Sequence, residues 1–311
     1  MPSVTFSPTI MAVSEHRFEN WNDALNFLRH KATSGPDHVF RGHTTPAHRL
    51  QTSWSRYTRT PHEGWMSNIH QVLTAFQVGL INNGLAPFET GNIQDWLEYG
   101  RHHGVPTPCL DFTYSPYVAL CFALSNLNGA STPDNDAVVY VLDTARLASA
   151  WAHHRCQLPA QRIRYAEFYR EFLNPPNDFF ARGFPPGIVQ FFPFPSKTNI
   201  RMQRQQGALL YETLNYRAQQ VQDLEAFLEA KIDDARLNAA DGSAQERRVL
   251  YKVLLRADWR ESILSELELV GMGGGYLYGT ADGVAQDVKN TYFYTSRRGY
   301  LRDVTYQPPT L

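Results

Sequence analysis

YGRHHGVPTPCLDFTYSPYVALCFA, residues 99–123, joins a helix end, a strand and a helix start within 25 residues. Just upstream, Ile93, Trp96 and Leu97 recur at helical spacing, so a helix is expected over 92–103, and Gly104 ends it. Pro106 to Thr113 reads as a strand broken at both ends. Ser115-Pro116 opens the next helix, with Ser as N-cap and Pro at the first helical position. Val118, Ala119, Phe122 and Ala123 follow, and their small members let a helix lie close against a sheet. His102 and His103 fall in the last turn of the first helix. There an imidazole complements the helix dipole and bonds free carbonyls, or one ring reaches a pocket as a donor. Asp111 and Thr113 end the strand just before the N-cap, the kind of junction where ligands gather in α/β sheets. Asp111 could orient a ribose hydroxyl or act as a base; it could equally cap its own turn or pair with an arginine.

Working outward, a helix is expected over 20–31 from Trp21, Leu25 and Leu28. A short strand over 38–42 ends in Phe40-Arg41-Gly42. Arg41 is either a clamp for a phosphate or carboxylate, or a core brace paired with a buried Asp. Gly42 permits close approach of a second backbone or a ligand. Trp65, Ile69, Leu73, Phe76 and Leu80 share one face of a long helix that stops near Asn83-Gly84. AVVYVL, residues 137–142, is the clearest buried strand, and 208–214 and 249–255 read as two more. GFPPGIVQFFPFP, residues 183–195, is too broken for a long element, and either covers a cleft or packs. A charged helix is expected over 219–235. Asp258 with Glu261 suggests a capping box at a helix start, and a last short helix is expected within 276–290. Helices and strands do not alternate regularly, which indicates an α+β fold.

The 311 residues carry a formal charge of −1, so no global field draws the chain to nucleic acid or anionic lipid. Cys109, Cys121 and Cys156 have no metal-like spacing, and no metal is expected. So sparse and odd a set of cysteines fits a reducing cytoplasm. Neither a secretory signal nor a stretch of ~18 apolar residues is evident, so no membrane partner is expected. Gly271 to Gly279, GMGGGYLYG, lacks the last Gly of a dinucleotide loop and follows a helix, so it reads as a helix end and turn. Arg201 to Gly207, RMQRQQG, is a polar lead into a strand; its glutamines could bond an amide such as a nicotinamide, or be solvated. Arg297-Arg298-Gly299-Tyr300-Leu301-Arg302 interleaves cations with an aromatic, as single-strand binders do.

Taken together, several of these phrases resemble a family. Phe40-Arg41-Gly42-His43, His103-Gly104-Val105-Pro106-Thr107, Leu110-Asp111-Phe112-Thr113, Pro116 with Ala119 and Phe122-Ala123, Gln205-Gln206-Gly207 and Glu261–Leu267 stand in the order of the bacterial FRG domain, over about 38–290. The resemblance implies a domain at 38–290, with 1–37 as a helical lead-in and 291–311 as a tail. The motif order is also similar to that of ADP-ribosyltransferases. This implies a like central sheet and NAD as substrate, with ADP-ribose passed to a protein or nucleic acid, or NAD cleaved by water. A toxin or antiphage effector would suit such chemistry. By that analogy Asp111, Arg41, Gln206 and Glu212 are the catalytic candidates. Arg41, Gly42, His103, Thr113 and Gln205 are the cofactor-binding ones. The transferases carry a Glu where this chain has Gln, and an amide stabilises a cationic sugar less well. Asp111 or Glu212 would then supply the carboxylate. The alternative is a non-catalytic nucleotide-binding or nucleic-acid-binding module.

Overall fold

The computed structural model describes residues 12–35, 37–57, 65–87, 92–124, 135–156, 165–175, 179, 187–194, 199–214, 216, 220–231 and 248–289. In chain order the elements are β1 (Val13–His16), α1 (Trp21–Thr33), β2 (His38–His43), α2 (Ser53–Tyr57), α3 (Trp65–Asn82), α4 (Ile93–His102), β3 (Cys109–Thr113) and α5 (Pro116–Leu124). Then come β4 (Ala137–Asp143), α6 (Thr144–Cys156), α7 (Tyr165–Leu173), β5 (Val189–Phe192), α8 (Ile200–Arg204) and β6 (Gly207–Glu212). The last are α9 (Leu224–Lys231), β7 (Leu250–Leu255), a 3-10 turn at Ala257–Trp259, α10 (Arg260–Leu269), α11 (Gly274–Tyr278) and α12 (Ala281–Lys289). None of the described helices is long and apolar enough to cross a membrane.

The strands form one open sheet in the order β1-β7-β4-β2-β3-β6-β5. Among the described strands, only β1 and β7 pair in parallel. The fold is α+β, as the irregular order of elements indicates. β1 and α1 precede residue 38 yet belong to this sheet and its core, and the described part of 183–195 supplies the edge strand β5.

Two halves of the sheet meet at a narrow seam. β2 stays with β4 from His38 to His43, and β3 stays with β6 from Cys109 to Thr113. Between β2 and β3 the only register pair is Phe40 with Thr113. Beyond it the strands part. One face of the sheet is covered throughout by a single apolar cluster that includes Trp151, Phe172 and Phe227. The other face is divided. Helices α1, α5 and α10 pack on the β2 half, while Trp54, Ile69, Leu73 and Leu97 of α2, α3 and α4 pack on the β3 half. The gap between these helix groups lies over the parted strands.

Helix α5 fixes the near side of the gap. The Ser115 hydroxyl caps Val118 N–H at 3.4 Å, and seven residues of α5 are buried, among them Val118, Ala119 and Ala123. The helix lies so close to β2 that a Cβ on Gly42 would stand 1.9 Å from the Ala119 carbonyl oxygen and 2.7 Å from Ala123 N. Gly42 thus admits a second backbone. Farther along the chain, the capping box expected at Asp258 is not formed. Asp258 instead takes two hydrogen bonds from Arg256, at 2.9 and 2.5 Å, and α10 starts after the 3-10 turn without a side-chain cap. Gly271 is left-handed, φ 68°, at the end of α10, as the glycine run indicates, but Gly274–Tyr278 makes a helical turn of its own.

Backbone atoms cannot yield as a side-chain tip can, so Gly42→Ala should cost at least about 2 kcal/mol in urea unfolding. Gly79→Ala is the matched control. Gly79 lies on an exposed turn of α3 with nothing within 4 Å of a built Cβ, and the change should add up to about 1 kcal/mol.

Candidate functional site

The gap between β2 and β3 encloses about 940 Å³. Its walls come from β2 and the chain after it as far as Tyr57, from the end of α4, from β3 and α8, and from Phe122 and Tyr278. Strand alternation sets the β2 contribution: Phe40 and Gly42 face α5, while Arg41 and His43 face the opposite way. The Arg41 guanidinium spans the gap. Its Nη1 donates to the Asp111 carbonyl at 2.7 Å, and its Nε donates to His43 Nε2 at 2.8 Å. That carbonyl lies on β3 where β2 has moved out of pairing range, so the side chain takes over what a strand N–H would do. Because His43 accepts at Nε2, its proton sits on Nδ1, which donates to the His48 carbonyl at 3.2 Å. Burial, with the Arg41 charge, holds His43 well below the usual imidazole range, so the ring is neutral. Burial also pulls Arg41 down to about 10; Asp111 opposes that shift, while Arg101 and Arg56 add to it. Arg41 remains a cation at neutral pH.

Asp111 is held by a second arginine. Helix α4 ends at His102, and Gly104 takes a left-handed turn, φ 81°, that sends the chain back along β3. Arg101 and Asp111, ten residues apart, are thereby brought together. Arg101 Nε donates to Asp111 Oδ1 in an ion pair, and its Nη1 reaches Thr107 Oγ1 at 3.4 Å. Burial alone would raise the Asp111 carboxyl, but the charge and hydrogen bond of Arg101, with the charge of Arg41, hold it below the usual carboxylate range. Its side chain keeps 41% of its exposure, so an ionised carboxylate still faces the cavity.

Around this pair the lining is strongly cationic. Arg41, Arg49, Arg56, Arg101 and Arg201 border the cavity, and among the described residues Asp111 is the one acid that does. Burial and the Arg101 charge lower the Arg56 guanidinium, which has no carboxylate partner among the described residues. Arg201 lies over the Tyr278 ring, 4.2 Å from its centroid. Burial, with Arg201 next, pushes His102 down to about 4 and leaves it neutral. Sequence reasoning singled out neither Arg49, Arg56, Arg101 nor His43 as functional. For Arg101 a signal existed: a cation one turn-and-reversal upstream of the Asp already under consideration.

The expected residues divide. Arg41, Gly42, Asp111, Thr113 and Gln205 line the cavity. The Thr113 hydroxyl is already engaged, donating to the Gln205 carbonyl at 2.6 Å and accepting from Ser115 N–H at 3.0 Å. Gln205 is buried and its amide donates to the Leu277 carbonyl at 3.3 Å. His102 rather than His103 lines the cavity; His103 caps α4 and packs its ring against Tyr99, 4.5 Å between centroids. Gln206 is exposed in a left-handed turn, φ 46°, with its carbonyl accepting from Tyr114 N–H, and is not among the lining residues. Glu212 ends β6, roughly 17 Å along the strand from Gly207, is fully buried, and accepts from Leu214 N–H at 2.5 Å. It does not border the cavity, and among the described residues the cavity carboxylate is Asp111 alone. No group of His, Cys, Asp or Glu among the described residues could hold a metal ion. The 297–302 cluster lies outside the described residues.

Burial raises the Glu212 carboxyl to about 7. The folded chain therefore holds a proton there that the unfolded chain releases near pH 4.5, and stability falls as pH rises from about 4.5 to about 7. Glu212→Gln should remove that fall, recovering as much as about 3 kcal/mol at pH 8 while changing little at pH 4.5. Unfolding curves of both proteins at the two pH values check it.

Comparison with known proteins found no match among curated proteins and none among solved structures. A family model does match. It covers residues 36–131, the stretch that runs from β2 through α5 and contains Arg41, Arg101 and Asp111. The matching model is that of the FRG domain, and it is to that domain that residues 36–131 are similar.

Proposed function

We propose that the cavity binds a nucleotide through its phosphates, and that the nucleotide is NAD, consumed as a substrate. The observation that carries this reading is the charge balance: among the described residues, five arginines and a single carboxylate around one crevice. A diphosphate suits that excess, because guanidinium forks bond phosphate oxygens in pairs. Arg41 spends two of its N–H groups on Asp111 and His43, and the rest of its five donors remain for an anion. Tyr278, with Arg201 stacked on it, offers an aromatic surface to a base.

In the catalytic form of this reading, the bond between nicotinamide and the ribose C1′ breaks and its electron pair leaves with nicotinamide. Asp111, ionised and facing the cavity, stabilises the cationic sugar. Gln205 contacts the ribose or the amide. A nucleophile then bonds to C1′ and loses its proton. Water as nucleophile gives ADP-ribose; a protein or nucleic-acid group gives a modified macromolecule. One observation favours a second reading, binding without cleavage: Asp111, the carboxylate that lines the cavity among the described residues, is already paired with Arg101.

Nicotinamide release, followed by mass spectrometry with and without cell lysate, separates the two. NAD about 100-fold above its Kd should stabilise the fold by about 2.7 kcal/mol, a rise of a few degrees in Tm, and Arg41→Ala should abolish that rise. Catalysis predicts release that Asp111→Asn loses. A Tm rise with no release supports binding alone, and no response to NAD in either assay rejects NAD as the ligand.

A further inference from the structure

We infer that the outer wall of the cavity, residues 44–57, is a binding surface for single-stranded nucleic acid. This concerns the macromolecule that meets the site, and it leans on the NAD reading only for the chemistry after binding. Three observations converge. Residues 38–57 contain Arg41, Arg49, Arg56 and three histidines but no Asp or Glu, in a chain whose formal charge is −1. Arg49 is exposed, and neither it nor Arg56 has a carboxylate partner among the described residues. Tyr57, next to Arg56 at the end of α2, leaves 71% of its surface in solvent while also bordering the cavity.

Each feature has a chemical consequence. Arg56 is held below its usual range by burial and by Arg101, so an approaching anion relieves repulsion as well as forming bonds. Arg49 at the rim, Arg56 in α2, and Arg41 with Arg101 at the floor border one continuous crevice, so several phosphates of one strand have cations to meet. An exposed phenol ring beside them gives a base a face to stack on, and such stacking tolerates any sequence. A duplex hides its base faces inside the helix and offers Tyr57 nothing to stack on. An acidic peptide could satisfy the arginines but has no flat group for the ring. The combination favours a single strand.

The test uses the full chain and a fluorescein-labelled oligonucleotide of about 12 residues, as RNA and as DNA, with anisotropy read between 50 and 200 mM salt. Binding should weaken with salt at about −0.7 in log K per log salt for each phosphate neutralised. Arg49→Ala should lower that slope by about 0.7. Tyr57→Ala should weaken binding at least about fivefold with the slope unchanged. Both variants should melt as the native chain does, since both side chains are exposed. No binding at 50 mM salt overturns the inference. So does native-like binding by both variants, or equal affinity for the matching duplex or for a polyglutamate peptide of similar length. Failure of the NAD reading would appear in the nicotinamide and Tm assays and would leave this anisotropy result standing.

Discussion

Arg41 does for the sheet what a strand would otherwise do, and the cavity exists because it does. β2 and β3 share one pair, Phe40 with Thr113, and then separate, each retained by its other neighbour. Parted strands leave backbone carbonyls without partners, which is costly unless they are satisfied or wetted. A guanidinium long enough to cross the gap bonds the Asp111 carbonyl and at the same time keeps the strands apart. Gly42 supports this arrangement from the neighbouring position. With no side chain there, α5 presses onto β2 and anchors one bank of the gap, so Arg41 extends from a fixed strand. Phe-Arg-Gly is therefore one structural unit: Phe40 in the core, Arg41 across the seam, Gly42 under the helix.

The electrostatics follow from that geometry. Burial first, and then the charge of Arg41 on His43 and of Arg201 on His102, lowers the affinity of both rings for protons, so they stay neutral. Burial and then the charge of Arg101 lower Arg56, which Asp111 does not relieve, whereas Asp111 outweighs burial at Arg101 and opposes it at Arg41. A fold that keeps such a surplus in a crevice gives up stability there, and an anionic ligand restores it. Glu212 shows the opposite arrangement: a carboxyl buried without a cation, with its proton held to about pH 7.

Much of this was legible in the sequence where local rules decide. Ser115-Pro116, the small residues of α5, the apolar run of β4 and the helix end at Gly104 all follow from propensity and sterics. What depends on tertiary pairing was not. The Arg101–Asp111 contact needs the direction of β3 after the Gly104 turn. The choice of His102 over His103 is a rotation of roughly 100° about α4, smaller than the error in placing a helix end. Gln205 and Gln206 look alike in a row, yet a left-handed turn puts one in the cavity wall and the other in solvent. Asp258 has the right spacing for a cap, but Arg256, two residues before it, competes for the same carboxylate and holds it.

Asp111 is where structure and chemistry compete for one group. Its Oδ1 and its backbone carbonyl are both engaged by arginines, which makes the residue part of the seam. Those same arginines are the cations nearest an incoming phosphate. An anion that bonds Arg101 draws off part of the charge that now compensates Asp111, because a guanidinium shared between two anions attracts each less. The carboxylate then faces the cavity with more of its own charge uncompensated, as a cationic sugar would require. The charge left on Asp111 once phosphates occupy the arginines is therefore the quantity on which binding and cleavage differ, and it is set by Arg101 more than by Asp111 itself.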